Sequence, residues 1–255
     1  MEQENKQIFD FDLKMIADFF RELDRQGPGG VEQTLRALEF VPDRPGMRIA
    51  DIGCGTGGQT VTIARNRDCT ITAVDLLPEL LEEFRARIKK AGLENRVTAI
   101  QGSMDALPFS PGEFDVIWAE GSIYNIGFER GLAEWRKFLK PGGYIAITEN
   151  TWFREEQPQE IKNFWEEAYP QIDTIPTKIA QMQKTGYLPV ATYMLPETIW
   201  TDYYKMQAAN GESFLKKYKG NKTVEEFIAS QRYEAELYDK YKAYYGYMFY
   251  IGKKL

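Results

Sequence analysis

Asp51, Gly53, Gly55, Gly57 and Gly58 fall within one short stretch, DIGCGTGG at 51–58. Gly53, Gly55 and Gly58 satisfy the G-x-G-x-x-G spacing by which a strand-to-helix turn lays a pyrophosphate on a helix N-terminus. The same stretch also reads as acid-x-G-x-G-x-G, which puts the carboxylate of Asp51 at the end of the strand beneath that turn. A carboxylate there repels a doubly charged pyrophosphate and favours a cation such as an ammonium or a sulfonium. At ~4 Å and an effective dielectric near 20, the sign difference amounts to roughly 4 kcal/mol each way. Glycines at 53, 55 and 57 let the backbone approach a ligand closely. Asp75, followed by Leu76, ends the next apolar run, 22 positions after Gly53. An acid so placed accepts both ribose hydroxyls of an adenosine.

Other chemistries are excluded by residue type. The chain contains no histidine. Ser-His-Asp and Cys-His catalysis in their usual form, and metal sites built on imidazole, are therefore absent. A general base must be Asp, Glu, Lys, Tyr or Cys. No spacing of carboxylates suggests a metal site. The two cysteines, Cys54 and Cys69, imply no disulfide framework. A net charge of −6 argues against nucleic acid as the main partner. MEQENKQIFD lacks the pattern of a signal peptide, and no apolar run approaches the length of a membrane span, so a cytoplasmic protein away from membranes is expected.

The elements that must position these residues follow from periodicity. With 255 residues, the chain is long enough for one large domain or a core with insertions. Phe9, Leu13, Ile16, Phe20 and Leu23 make one helical stripe, QGPGG at 26–30 breaks it, and Val31, Thr34, Leu35 and Leu38 make a second. Apolar runs at 47–53, 69–77, 96–103, 113–121 and 144–150 read as strands. Between them, helices are expected at 57–66, from Pro78 to a stop at Gly92, and over 127–143. Strands alternating with helices give β-α-β units and a parallel sheet between two helix layers. Ligands then sit at the carboxyl ends of the strands, where the 53–58 loop, Asp75, the 102–105 turn and the 118–121 turn all end.

GSMDALPFSPGEFDVIWAEG and FLKPGGYIAITEN, taken with RIADIGCGTGGQT and ITAVDLLPELLE, resemble in order and spacing the motifs of class I S-adenosylmethionine-dependent methyltransferases. The resemblance covers roughly residues 30–150. It implies a Rossmann-like α/β fold, a seven-stranded sheet flanked by helices with its last strand antiparallel. GYLPVATYML at 186–195 and YGYMFYIGKK at 245–254 would be the last two strands. It implies S-adenosylmethionine as cofactor, with Gln59 and Thr60 near the methionine carboxylate; Glu120, on the turn leaving the fourth strand, is the candidate for its ammonium. At the end of the third strand, where the family usually has Gly-Asp, this chain has Gly102-Ser103. The adenine contacts are then left among Ser103, the Met104 amide and Asp105.

Three parts surround this core. The resemblance implies that helices in 1–45 lie on the substrate side, that 46–195 form the cofactor-binding core, and that 244–255 supply the final strand. An insertion over 196–243 reads as a helical lid. Thr223 to Glu226 form a capping box there, and Val224, Phe227, Ile228, Ala235 and Tyr238 form a stripe. Trp152, Trp165, Tyr193, Trp200, Tyr203 and Tyr204 would suit a lid over a small, partly apolar acceptor. Tyr124, on the turn leaving the fourth strand, is the nearest polar group for orienting that acceptor and is the catalytic candidate. The expected activity is methyl transfer to a small molecule by a monomer or homodimer. A protein or peptide acceptor and a catalytically silent S-adenosylmethionine-binding subunit are the alternatives. A nicotinamide dehydrogenase is disfavoured by Asp51.

Overall fold

A computed structural model describes residues 11–255. Phe9 and the decapeptide read for a leader lie outside the described residues. Parallel strands β1 (Met47–Ile52), β2 (Cys69–Asp75), β3 (Val97–Gln101), β4 (Phe114–Ala119) and β5 (Leu139–Trp152) form one half of a sheet. After the two-residue β6 (Asp173–Thr174), β7 (Tyr187–Met194) and β8 (Tyr245–Lys254) complete it. The order is β3-β2-β1-β4-β5-β8-β7, with β8 antiparallel to both neighbours and β6 paired to β5. This is the expected seven-stranded path, and the short β6 is an addition to it.

Every residue of β4 is buried, as the apolar run without alternation requires of a strand covered on both faces. Neighbouring side chains nevertheless serve opposite cores. Ile49 and Trp118 pack with α1 (Leu13–Phe20), α2 (Val31–Leu38), α3 (Gly58–Asn66) and α4 (Pro78–Lys90), and also with α8 (Thr198–Lys217) and α9 (Lys222–Tyr241). Ala50, Ile117 and Ala119 pack with α5 (Phe128–Trp135) and α7 (Ile175–Lys184). α6 (Gln159–Ala168) joins the first core through Ile161, Phe164 and Trp165.

Some boundaries differ from the sequence expectation. The helix expected over 127–143 stops at Trp135, and Arg136–Phe138 tighten into a 3-10 turn. β5 already begins at Leu139, and its register slips between the pairs Phe114–Leu139 and Val116–Tyr144. That bulge absorbs Pro141 and Gly142, which cannot continue a helix. α9 starts at Lys222 rather than at a Thr223 box, because the Asn221 side chain accepts the Val224 amide and caps the helix (3.3 Å). α7 and β6 carried no clear sequence pattern.

β5 and α7 bury an ion pair beneath the sheet's ligand end. Lys178 Nζ lies 2.6 Å from Glu149 Oε1, with both side chains fully buried. Tyr169 Oη donates to the same oxygen, and Lys178 also donates to the Gln171 carbonyl (2.8 Å). Burial pushes the Glu149 carboxyl up, against the pull of Lys178. The pair fixes Tyr169, whose ring meets Tyr124 edge-on at 5.9 Å. Lys178→Met strands a buried carboxylate and is expected to cost ~3–5 kcal/mol in urea unfolding at pH 8. The loss should shrink toward pH 5.5, because an acid whose folded pKa is raised regains stability as it takes up its proton. The double variant Lys178→Met/Glu149→Gln should recover most of it.

Candidate active site

Two adjoining cavities open at the carboxyl ends of the parallel strands. The first, about 290 Å³, is bounded by the Gly53–Gly55 loop, Asp75–Leu77, Gly102–Asp105 and Glu120–Ile126. The second, about 160 Å³, lies under α6, α8 and α9. Phe20, Gln26, Gly27, Pro28, Gly121 and Tyr124 border both.

The glycine loop keeps its shape because side chains cannot enter it. Gly53 (φ +74°) and Gly55 (φ +53°) take left-handed backbone that favours glycine. A Cβ on Gly53 would strike Ser122, and one on Gly55 would strike the Gln26 amide. Ser122 Oγ is in turn tied to the Ile52 carbonyl (2.6 Å). Asp75 closes the loop from the side. Its carboxylate accepts the Gly55 amide (2.8 Å) and the Leu77 amide (3.0 Å), leaving lone pairs toward the cavity. Burial raises its pKa, and these amide bonds pull it back.

The segment between α1 and α2 folds over this loop. Gln26 accepts the Thr56 amide (2.9 Å) and donates to the Phe20 and Leu23 carbonyls (both 3.1 Å). Arg25 Nη1 pairs with Glu120 Oε2 at 2.7 Å, both side chains nearly buried. Thr34 Oγ1 and Trp118 Nε1 donate to Glu120 Oε1 at 2.7 and 2.8 Å. Neither Arg25 nor Gln26 carries a signal of a site role in the sequence. QGPGG marked only a break there, although Arg25, Gln26, Gly27 and Pro28 line the first cavity.

The residues expected at the cofactor divide accordingly. Gly53, Gly55, Gln59, Asp75, Leu76, Ser103, Met104, Asp105 and Glu120 line the first cavity, whereas Asp51, Gly57 and Thr60 do not. Asp51 is fully buried behind the loop, held by Thr60 Oγ1 (2.5 Å) and Gln59 Nε2 (3.3 Å). It sits at the end of β1 beneath the glycine turn, and α3 places those two side chains on its carboxylate. Gly57 is instead pressed against Phe84 and serves the turn into α3. Glu120 reaches the cavity already neutralised by Arg25. Asp105 pairs with Arg130 (2.8 Å) and accepts from Ser103 Oγ (3.2 Å), on the cavity rim.

Tyr124 stands where the two cavities meet. Burial first, and then the Glu234 charge, hold its phenol up at about 12, so it is a hydrogen-bond donor at neutral pH and not a base. Of the aromatics picked out as a lid, Trp165, Trp200 and Tyr203 line the second cavity. Trp152, Tyr193 and Tyr204 do not; they pack against Tyr245, Phe249 and Trp200 respectively.

Burial pushes the Asp51 carboxyl up to about 7, offset in part by Thr60 and Gln59. Its contribution to stability is thus full below the ordinary carboxylate pKa and lost as pH rises through about 7. Between pH 5 and 8, Asp51→Asn should gain on the parent protein by about 2–3 kcal/mol. Urea midpoints of both proteins across that range measure the difference.

Comparison with known proteins extends this geometry. Residues 49–143 match the family model described as a methyltransferase domain. The methyltransferase GfsG of Streptomyces halstedii is 30% identical over 128 residues, 50% of this chain and 46% of that protein. The ubiquinone/menaquinone biosynthesis C-methyltransferase UbiE of Shewanella pealeana is 26% identical over 63% of this chain and 64% of its own length. The chain spans less than two thirds of the length of the curated relatives it matches. The S-adenosylmethionine-dependent methyltransferase of Geobacter sulfurreducens, solved with S-adenosyl-L-homocysteine, superposes with a TM-score of 0.85 at 19% identity, covering 96% of this chain and 99% of that one. Residues 49–143 are thus similar to the methyltransferase-domain family, and the chain has the fold of the Geobacter sulfurreducens methyltransferase.

Proposed function

We propose that the protein transfers a methyl group from S-adenosylmethionine to a small-molecule acceptor. The observation that carries this reading is the pair of adjoining cavities meeting at Tyr124, one built around Asp75 and the glycine loop, the other enclosed by aromatic side chains. The relatives named above, methyltransferases by their descriptions, support it. No described helix is long and apolar enough to cross a membrane.

The first cavity suits the cofactor. The loop at Gly53 and Gly55 is a cradle that a Cβ would block, and Asp75 has acceptor capacity left for two ribose hydroxyls. Leu76, half exposed on the rim, and Met104 offer apolar surface for an adenine ring. Ser103 and Asp105 stand beside them as edge contacts. The Arg25–Glu120 pair offers both signs of charge to a methionine zwitterion. This replaces Glu120 alone at the ammonium, and Gln59 remains alongside.

S-adenosylmethionine, when bound, supplies a methyl group activated by its sulfonium charge. The chain's own part is alignment and exclusion of water. Tyr124 donates a hydrogen bond that orients the acceptor, and Trp165, Trp200 and Tyr203 cover it.

Calorimetry should show saturable binding of S-adenosylmethionine and none of NAD; the reverse result would overturn this reading. Asp75→Ala should weaken donor binding by ~1.5–3 kcal/mol, through loss of charged hydrogen bonds, with the fold retained by circular dichroism. Tyr124→Phe removes one neutral orienting hydrogen bond and should lower turnover by about tenfold, with donor affinity little changed. Steady-state kinetics beside donor titration separates the two effects.

A further inference from the structure

The second cavity carries an unbalanced charge. Glu234 of α9 is its single ionisable acid, and among the described residues that line it there is neither lysine nor arginine. Among the described residues, Glu234 accepts a hydrogen bond from Tyr204 Oη to Oε1 (2.9 Å) and makes no ion pair. The rest of the wall is largely aromatic: Tyr124, Phe164, Trp165, Trp200, Tyr203 and Tyr247. Asn150, at the end of β5, also borders the cavity, with neither amide atom partnered.

A carboxylate set among aromatic rings with no cation lining the same cavity favours a positively charged ligand. An organic ammonium satisfies the carboxylate directly, and ring faces attract its diffuse positive charge. A neutral phenol or quinone would leave the half-buried Glu234 with no counter-charge. Burial raises the Glu234 pKa, as expected of an acid short of a partner.

We propose that the second cavity binds a small organic ammonium group carried by the methyl acceptor, with Glu234 as counter-ion and the aromatic wall as its cage. As a statement about the acceptor it rests on the methyltransferase reading. As a statement about the cavity it stands on Glu234 and its surroundings.

The test uses intrinsic tryptophan fluorescence, since Trp165 and Trp200 line the cavity. The full chain, saturated with S-adenosylhomocysteine, is titrated with tetramethylammonium, with choline and with 3,3-dimethylbutan-1-ol, the uncharged isostere of choline. Both cations should bind saturably, and choline should bind about tenfold or more tighter than its isostere. Glu234→Gln keeps an acceptor for Tyr204. It should lose about tenfold or more of the choline affinity, while binding of S-adenosylhomocysteine and of the isostere stays within about threefold. Equal binding of choline and its isostere by the parent, a comparison that needs no variant, overturns the proposal. So does the absence of saturable binding by both cations, or unchanged choline affinity in folded Glu234→Gln. If the parent fails to bind S-adenosylhomocysteine, the methyltransferase reading fails instead; the titrations repeated without it still decide the preference for charge.

Discussion

The ligand end of this molecule depends on how one enclosed carboxylate is neutralised. Glu120 leaves β4 with its side chain almost wholly out of water, and an uncompensated charge there would cost several kcal/mol. Its partners come from three places. Trp118 stands two residues before it, Thr34 lies on α2, and Arg25 lies on the segment before α2. Satisfying Glu120 therefore draws the chain between α1 and α2 across the strand ends. Once there, Gln26 can reach the Thr56 amide and lock the glycine loop. The two cavities share their border along this strap, so the glycine loop, the N-terminal segment and the aromatic wall form one unit.

The helices over the second cavity are tied to the rest of the fold by aromatic contacts, an ion pair and hydrogen bonds. Phe19 of α1 meets Phe214 and Phe227 edge-on at 5.3 and 5.1 Å. Asp18 pairs with Lys217 and accepts from Tyr218. Trp200 stacks on Tyr238 at 4.8 Å, and Tyr203 Oη donates to the Gln26 carbonyl (2.8 Å). Aromatic edges and faces in this arrangement add to simple burial. The wall is thus fixed by contacts within the protein, the condition under which groups positioned on it have most effect.

The two cavities also differ in how they treat charge. In the first, acids have partners before any ligand arrives: Asp75 has backbone amides, Glu120 has Arg25, and Asp105 has Arg130. Asp51 stands behind that cavity, shielded by Thr60 and Gln59. In the second, the partner of Glu234 among the described residues is a phenol, that of Tyr204. A satisfied site holds its shape without ligand, and an unsatisfied one is selective for what completes it.

The sequence by itself determined the alternation of strands and helices, because burial on both faces demands continuous apolar runs. It also determined the glycine loop and Asp75, because each depends on neighbours a few residues away or on the strand that ends there. The aromatic insertion was legible as helical for the same local reason. Only the tertiary structure decided which way side chains face once elements pack. Asp51 turns inward because α3 brings Thr60 and Gln59 onto it. Arg25 meets Glu120 across 95 residues, and Glu234 reaches the wall of a cavity that Tyr124 and Asn150 also border. Periodicity reports the burial of an element, but the pairing of charges is set by three-dimensional neighbours that lie far apart along the chain.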